Sequence, residues 1–175
     1  MPLIRNAEQI EDRYVRVPDD APVPEEGAVL ISAARFLADA SDILGRSGPT
    51  GVIWPNDRDI VELVPYLGRM SLVALVFPAF KDGRAYSQAR ALRERYRFRG
   101  ELRATGDVLR DQFLFLHRAG FDAFEVKKPS DVRAFCEALQ RYNVFYQSAA
   151  DGEVSALRRR LDPASRQSYT VTELA

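Results

Sequence analysis

Six side chains in the middle of this chain are placed to do chemistry: Lys81, Asp82 and Arg84, then Asp107 and Arg110, then Lys127. Each group follows a short apolar run and precedes a helical pattern. In a parallel α/β sheet such junctions form the ligand-binding rim, because strand carboxyl ends and helix N-termini converge there. Lys81, Arg84, Arg110 and Lys127 would hold a small anion or an anionic substrate group. Asp82 or Asp107 would orient a partner group or transfer a proton. A structural role competes at the same positions. Asp82, Asp107, Asn56 and Ser130 all suit helix N-caps, and capping is the favoured reading for each. Arg84 and Arg110, in first helical turns, oppose the helix dipole and need a neighbouring carboxylate or a bound anion.

The surrounding stretch is basic. Lys81 to Gly120 holds nine of the chain's 22 arginines and one lysine against five acidic residues, within a chain of zero net charge. The arginines of Arg90–Arg99 read as a solvated helical face. The balanced total argues against a dedicated nucleic-acid binder and leaves an anionic ligand open. Other chemistries lack their residues. Cys136 and His117 are single, which removes disulfides, CxxC pairs, thiolate zinc sites and iron–sulfur ligation. Cys136 falls on an apolar helical stripe and reads as a buried small hydrophobe. His117 sits late in a helix, where the dipole accounts for it. Gly45, Gly48 and Gly51 precede a strand, so they form no nicotinamide fingerprint. A noncovalent flavin held by its phosphate at the rim stays open, since such sites need no fixed motif. No metal site is expected.

The elements that position these residues follow a βα rhythm from Gly51. Gly51–Trp54, Leu72–Phe77, Glu101–Thr105 and Phe121–Val126 read as strands, and Asn143–Gln147 as a fifth. Leu72–Phe77 is continuously apolar, as in a strand covered on both faces. Helices are expected after Pro55-Asn56-Asp57 through about Leu67, through Ala85, Ala89, Leu92 and Tyr96, over Val108–His117, and after Pro129-Ser130 along Val132, Phe135, Cys136, Leu139 and Tyr142. Gly120 reads as a left-handed helix cap. Before Gly51, Pro2–Arg5, Arg13–Val17 and Ala28–Ile31 are strand candidates. Between them lies an acidic, proline-rich loop at 18–27, and Ser32 caps a helix carrying Ala33, Phe36, Leu37, Ala40, Ile43 and Leu44.

The fold expected is α/β: a four- or five-stranded, mostly parallel sheet of repeated βα units, half-barrel-like or open doubly wound, with a small N-terminal strand-rich element. Residues 1–50 form that element with an acidic loop and one helix, packed on a main unit at 51–150; 151–175 add a short helix and tail. With 175 residues, 46% hydrophobic and 29% charged, the chain fits one ordinary soluble domain. No apolar run approaches the roughly 18 residues of a membrane span, and no signal pattern opens the sequence. The expectation is a cytoplasmic protein with no membrane association. Two chains could associate through exposed sheet edges.

Phe77-Pro78, Asp82-Gly83-Arg84, Tyr86-Ser87, Ala89-Arg90, Arg93, Gly100-Glu101-Leu102-Arg103, Gly106-Asp107-Val108-Leu109-Arg110-Asp111-Gln112 and Gly120-Phe121-Asp122 form a specific pattern. Gly51-Val52, Trp54 and Phe145-Tyr146-Gln147 extend it. It resembles a bacterial family of unknown function whose members carry the label "oxidoreductase probably involved in sulfite reduction". The resemblance implies an accessory protein of assimilatory sulfite reduction, with sulfite reductase or another sulfate-assimilation enzyme as partner. It supplies no catalytic residues. Two other readings stand beside it: a non-catalytic docking module for such a reductase, and an enzyme acting on a phosphorylated small molecule. Ligand chemistry at the rim requires Arg84 and Arg110 to converge on one open cleft. A docking module tolerates a rim whose cations are occupied by Asp82, Asp107 or Asp111.

Overall fold

The computed structural model describes residues 2–141, 144–150 and 152–161, with the side chains of 136 and 139–141 excepted. Its centre is the strand that reads most plainly in sequence, Leu72–Phe77 (β6), which pairs on both sides with parallel neighbours, Thr50–Trp54 (β5) and Glu101–Gly106 (β7). Beyond β7 lies Ala123–Glu125 (β8), and beyond β5 lie Ala28–Ser32 (β4) and Tyr14–Arg16 (β3), all parallel. Leu3–Arg5 (β1) pairs antiparallel with β8, and Glu8–Ile10 (β2) antiparallel with β1. Asn6 and Ala7, at φ 51° and 61°, make the two-residue turn between β1 and β2.

The sheet therefore has eight strands in the order β2-β1-β8-β7-β6-β5-β4-β3 and is partly antiparallel. It is larger than the four- or five-stranded sheet expected. The reason is the N-terminal segment, whose strands extend both edges of the βα sheet. The chain leaves one edge at Ile10 and enters the other at Tyr14. Laid flat, eight strands would set the outer two roughly 34 Å apart. The chain from Ile10 to Tyr14 can reach at most about 14 Å. The sheet must curl into a half-barrel, with residues 11–13 as a strap across its open side.

Alternation along the strands separates two faces. Val73, Leu75, Phe77, Leu102, Ala104 and Phe124 point outward into the main core, where the helices pack. Tyr14, Leu30, Leu72 and Ala74 form a small inner cluster. β7 is the exception in its chemistry: its inward residues are Glu101, Arg103 and Thr105, all buried.

The outer helices are Ala33–Ala38 (α1), Ala40–Gly45 (α2), Arg84–Arg90 (α3), Phe113–Arg118 (α4), Ser130–Arg141 (α5) and Ala156–Leu161 (α6). Ser32 caps α1 by accepting from the Arg35 amide at 3.3 Å. The helix expected before Leu67 is instead a 3₁₀ helix, Ile60–Arg69, with Pro65 inside it. Proline has no N–H to donate to an α-helical ladder, which accounts for the difference. α3 continues as a π-turn over Ala91–Arg95. Gly120, at φ 103°, ends α4 with its N–H bonded to the His117 carbonyl and the Phe121 N–H bonded to Leu116. Of the strand expected at Asn143–Gln147, residue 143 lies outside the described residues; the remainder shows one bridge, Phe145 to Ser155. Tyr142 also lies outside them, as does the side chain of Cys136. No helix among the described residues is long and apolar enough to cross a membrane.

Candidate functional site

The rim begins where β5, β6, β7 and β8 end. Gly106, at φ 95°, turns the chain out of β7, and the next amide, Asp107 N–H, donates to the Phe77 carbonyl at 2.7 Å. This places Asp107 against the loop after β6. One of its oxygens accepts from the Phe80 amide at 3.0 Å and the other from Lys127 Nζ at 2.6 Å. A single carboxylate thus ties together the exits of β6, β7 and β8. The Lys127 ammonium, helped by the Phe80 amide, holds Asp107 below the usual carboxylate range.

Asp82 performs the same service within its own loop. Its carboxylate accepts from Arg84 Nε at 3.0 Å and Nη2 at 2.7 Å, and from the Arg84 amide at 3.3 Å. The Arg84 guanidinium holds Asp82 far below its ordinary range, and the Asn56 amide adds to the effect. Both rim carboxylates are therefore anionic at neutral pH, and each fixes a cation. Two glutamines complete the closure. Gln88 Nε2 donates to the carbonyls of Pro55 and Arg58, at 3.2 and 2.9 Å. Gln112 accepts from the Leu109 amide at 3.1 Å and approaches the Phe80 carbonyl at 3.5 Å. Tyr86 packs edge-on against Phe77, and burial, reinforced by Asp111, pushes its hydroxyl up to about 12.

The six expected residues thus divide. Arg84 with Asp82 and Lys127 with Asp107 form two ion pairs. Lys81 and Arg110 have no carboxylate partner among the described residues, and both are exposed. Arg110 lines a groove between α4 and α5 whose walls include none of Lys81, Arg84 and Lys127.

A second charged centre lies inside the half-barrel. Arg103, fully buried, directs Nε to Glu101 at 3.0 Å, Nη1 to Asp12 at 2.6 Å and Glu125 at 3.4 Å, and Nη2 to Asp12 at 3.0 Å and Glu101 at 2.9 Å. Its five donors are all used. Arg16 Nη2 reaches both oxygens of Glu125, at 2.7 and 2.6 Å. Thr105 donates to Glu125 at 2.5 Å, and Arg5 lies 3.4 Å from Glu101. Three cations meet three carboxylates, so the interior is neutral. Burial works against a charged Arg103, but Asp12 and Glu101 outweigh it and raise its pKa. This network lies away from the expected rim and includes none of the six residues expected there. Its signal was the alternation Glu101-Leu102-Arg103-Ala104-Thr105, which places polar side chains on one face of a strand.

The third centre lies at the opposite end of the strands from the rim. Arg93 donates Nε to the Gly120 carbonyl at 2.9 Å, and Nη1 to Phe98 and Gly100 at 2.7 and 2.9 Å. Its Nη2 pairs with Asp122. This pins the loop between α3 and β7, in which Arg97 takes φ 55°. Arg97 and Arg99 then line a groove of about 450 Å³ with Glu94, Asp122, Ala149, Ala150 and Gly152. Among the described residues neither has a carboxylate partner. Burial lowers the pKa of Arg93; Asp122 partly restores it, and the neighbouring Arg99 lowers it further. No group of three or more metal-ligating side chains occurs among the described residues.

A half-barrel α/β chain, with its interior charges matched and its rim carboxylates paired, is the class that fold and site define. The chain belongs to the family described as bacterial protein of unknown function (DUF934), whose model matches residues 51–157. That span runs from β5 into the start of α6 and contains all six expected site residues. No curated protein and no solved structure matches the chain.

Proposed function

We propose that this protein is a non-catalytic docking module of assimilatory sulfite reduction, and that it meets an acidic surface of sulfite reductase or another sulfate-assimilation enzyme through Arg97 and Arg99. The pathway rests on the sequence resemblance. The mode of action rests on one observation: rim cations Arg84 and Lys127 are occupied by Asp82 and Asp107, whereas Arg97 and Arg99 stand unpaired beside a groove at the far end of the strands. An unpaired guanidinium attracts a carboxylate over the Debye length and then binds it in bidentate fashion. Arg93 and Asp122 hold the loop that presents both arginines, so the surface is formed before the partner arrives.

The test is complementation of a deletion strain on sulfate against growth on cysteine. The double variant Arg97→Glu/Arg99→Glu, folded as wild type, is expected to fail on sulfate and grow on cysteine, while Arg84→Ala complements fully. Normal growth of the deletion strain on sulfate removes the pathway. The reverse pattern, with Arg84→Ala inactive at an unchanged thermal midpoint, moves the function to an anion held by Lys81, Arg84, Arg110 and Lys127.

A further inference from the structure

Four buried side-chain atoms among the described residues have no hydrogen-bond partner in the protein, and three of them belong to the turn where β5 leaves the sheet. They are Trp54 Nε1, Asn56 Nδ2 and Gln88 Oε1. The fourth, the Tyr14 hydroxyl, belongs to the inner cluster. Trp54 ends β5 and is fully buried; Asn56 and Gln88 are each 7% exposed. Gln88 comes from α3 and reaches across the turn, its Nε2 donating to the Pro55 and Arg58 carbonyls. Two acceptors on that nitrogen fix the orientation of the amide, so Oε1 is an acceptor that no protein group serves. The Trp54 N–H can only donate. Arg58, whose guanidinium lies 5.7 Å from the Trp54 ring centroid, is itself a donor and cannot satisfy it. The Asn56 amide lowers the pKa of nearby Asp82, yet its Nδ2 makes no hydrogen bond of ordinary geometry.

We infer that the exit of β5 is a binding site for one internal water, which accepts from Trp54 Nε1 and Asn56 Nδ2 and donates to Gln88 Oε1. Buried polar atoms in folded proteins are rarely left alone, because each then keeps the full penalty of its desolvation. Three in one turn call for a shared partner. Their chemistry selects it. Sulfate or a carboxylate has no proton for Gln88, and an ammonium has no lone pair for Trp54. A water oxygen supplies both, and three hydrogen bonds are the usual complement of a buried water. All three atoms are closed to bulk solvent, which favours the smallest group able to serve them. The water joins β5, the turn and α3, and adds to the two bonds that Gln88 makes directly. It uses neither Arg97 nor Arg99, and it stands or falls independently of the docking reading.

Trp54 is the only tryptophan, so the isotope-labelled full chain gives a single indole N–H signal in its NMR spectrum. Water-selective NOE and ROE spectra test the site at that signal. The expected result is a cross-peak at the water frequency, opposite in sign in the two spectra and unchanged by pH, as for water held inside the protein. No cross-peak overturns the inference. So does one of the same sign in both spectra that grows with pH, since the N–H is then exchanging with bulk solvent. Gln88→Met keeps the length of the side chain and removes its carbonyl. It is expected to lose the cross-peak and shift the indole signal, at an unchanged far-ultraviolet spectrum. A folded Gln88→Met that keeps both signals as in wild type also overturns the assignment. If that variant does not fold, the wild-type spectra decide alone.

Discussion

At Arg103 a guanidinium lies inside the sheet with each N–H answered by Asp12, Glu101 or Glu125. The energetic weight of this arrangement is asymmetric. Forming a buried ion network from solvated charges gains little, because desolvation cancels most of the attraction. Removing one member leaves its partners charged, buried and unmatched. Arg103→Met should therefore cost about 3–5 kcal/mol, read as a lower denaturant midpoint at unchanged slope. Arg84→Ala should leave the midpoint nearly where it is, since the Arg84 side chain is more than half exposed and solvent replaces the pair. The two arginines separate in stability although both pair with carboxylates. Burial decides it.

At the scale of the element, β7 shows how a strand end is set. A Cβ on Gly106 would lie 2.4 Å from the Phe77 carbonyl oxygen, and its φ is already in the left-handed region. Gly27 shares the positive φ, at 79°, but has open space around it. Gly27→Ala should cost only the left-handed penalty, about 1–2 kcal/mol. Gly106→Ala should cost more by thermal or denaturant unfolding, because β6 and β7 must also part where Asp107 crosses to Phe80. Elements of this kind were legible in sequence: the unbroken apolar run of β6, the Ser32 cap and the Gly120 stop each follow from a local rule. β2 was harder to read, since three residues carry too little periodicity; β1 and β3 were legible as strands, but their neighbours are chosen by the curl of the whole sheet. The 3₁₀ helix was obscured by an apolar pattern that fits an α-helix until Pro65 is weighed. At the candidate site, residue types and rim position were legible, and the rivalry between Asp82 and a bound anion for Arg84 was visible. The choice between them depends on side-chain geometry that spacing does not encode. Arg97 and Arg99 read in sequence as part of an ordinary solvated run, and only the folded loop brings them to the edge of a groove.

At the scale of the molecule, the strap at 11–13 makes an open sheet into a half-barrel, and Asp12 fastens it to Arg103. Burial would push the Asp12 carboxyl up, but the Arg103 hydrogen bond and the Tyr14 amide outweigh it and lower its pKa from 3.8. A carboxylate depressed in the folded state stabilises the fold above its unfolded pKa and loses that contribution as pH falls through the folded one. The thermal midpoint of wild type should thus fall on acidification below about pH 4, with Asp12 contributing to the fall. Asp12→Asn should start lower at neutral pH, and its deficit should shrink as the pH drops. A constant deficit from pH 7 to pH 2 would dissociate Asp12 from the strap. The same strap constrains the order of events in time. Leu3 pairs with Glu125 and Arg16 with Glu125, so the contacts that close the ring join residues more than a hundred positions apart in the chain, the second of them made far later. On the ribosome the β1–β2 ribbon must wait, without its β8 partner, until β8 emerges. Closure is then a late, slow step of high contact order, and during that wait the chain is most exposed to proteases and to mispairing with other nascent chains.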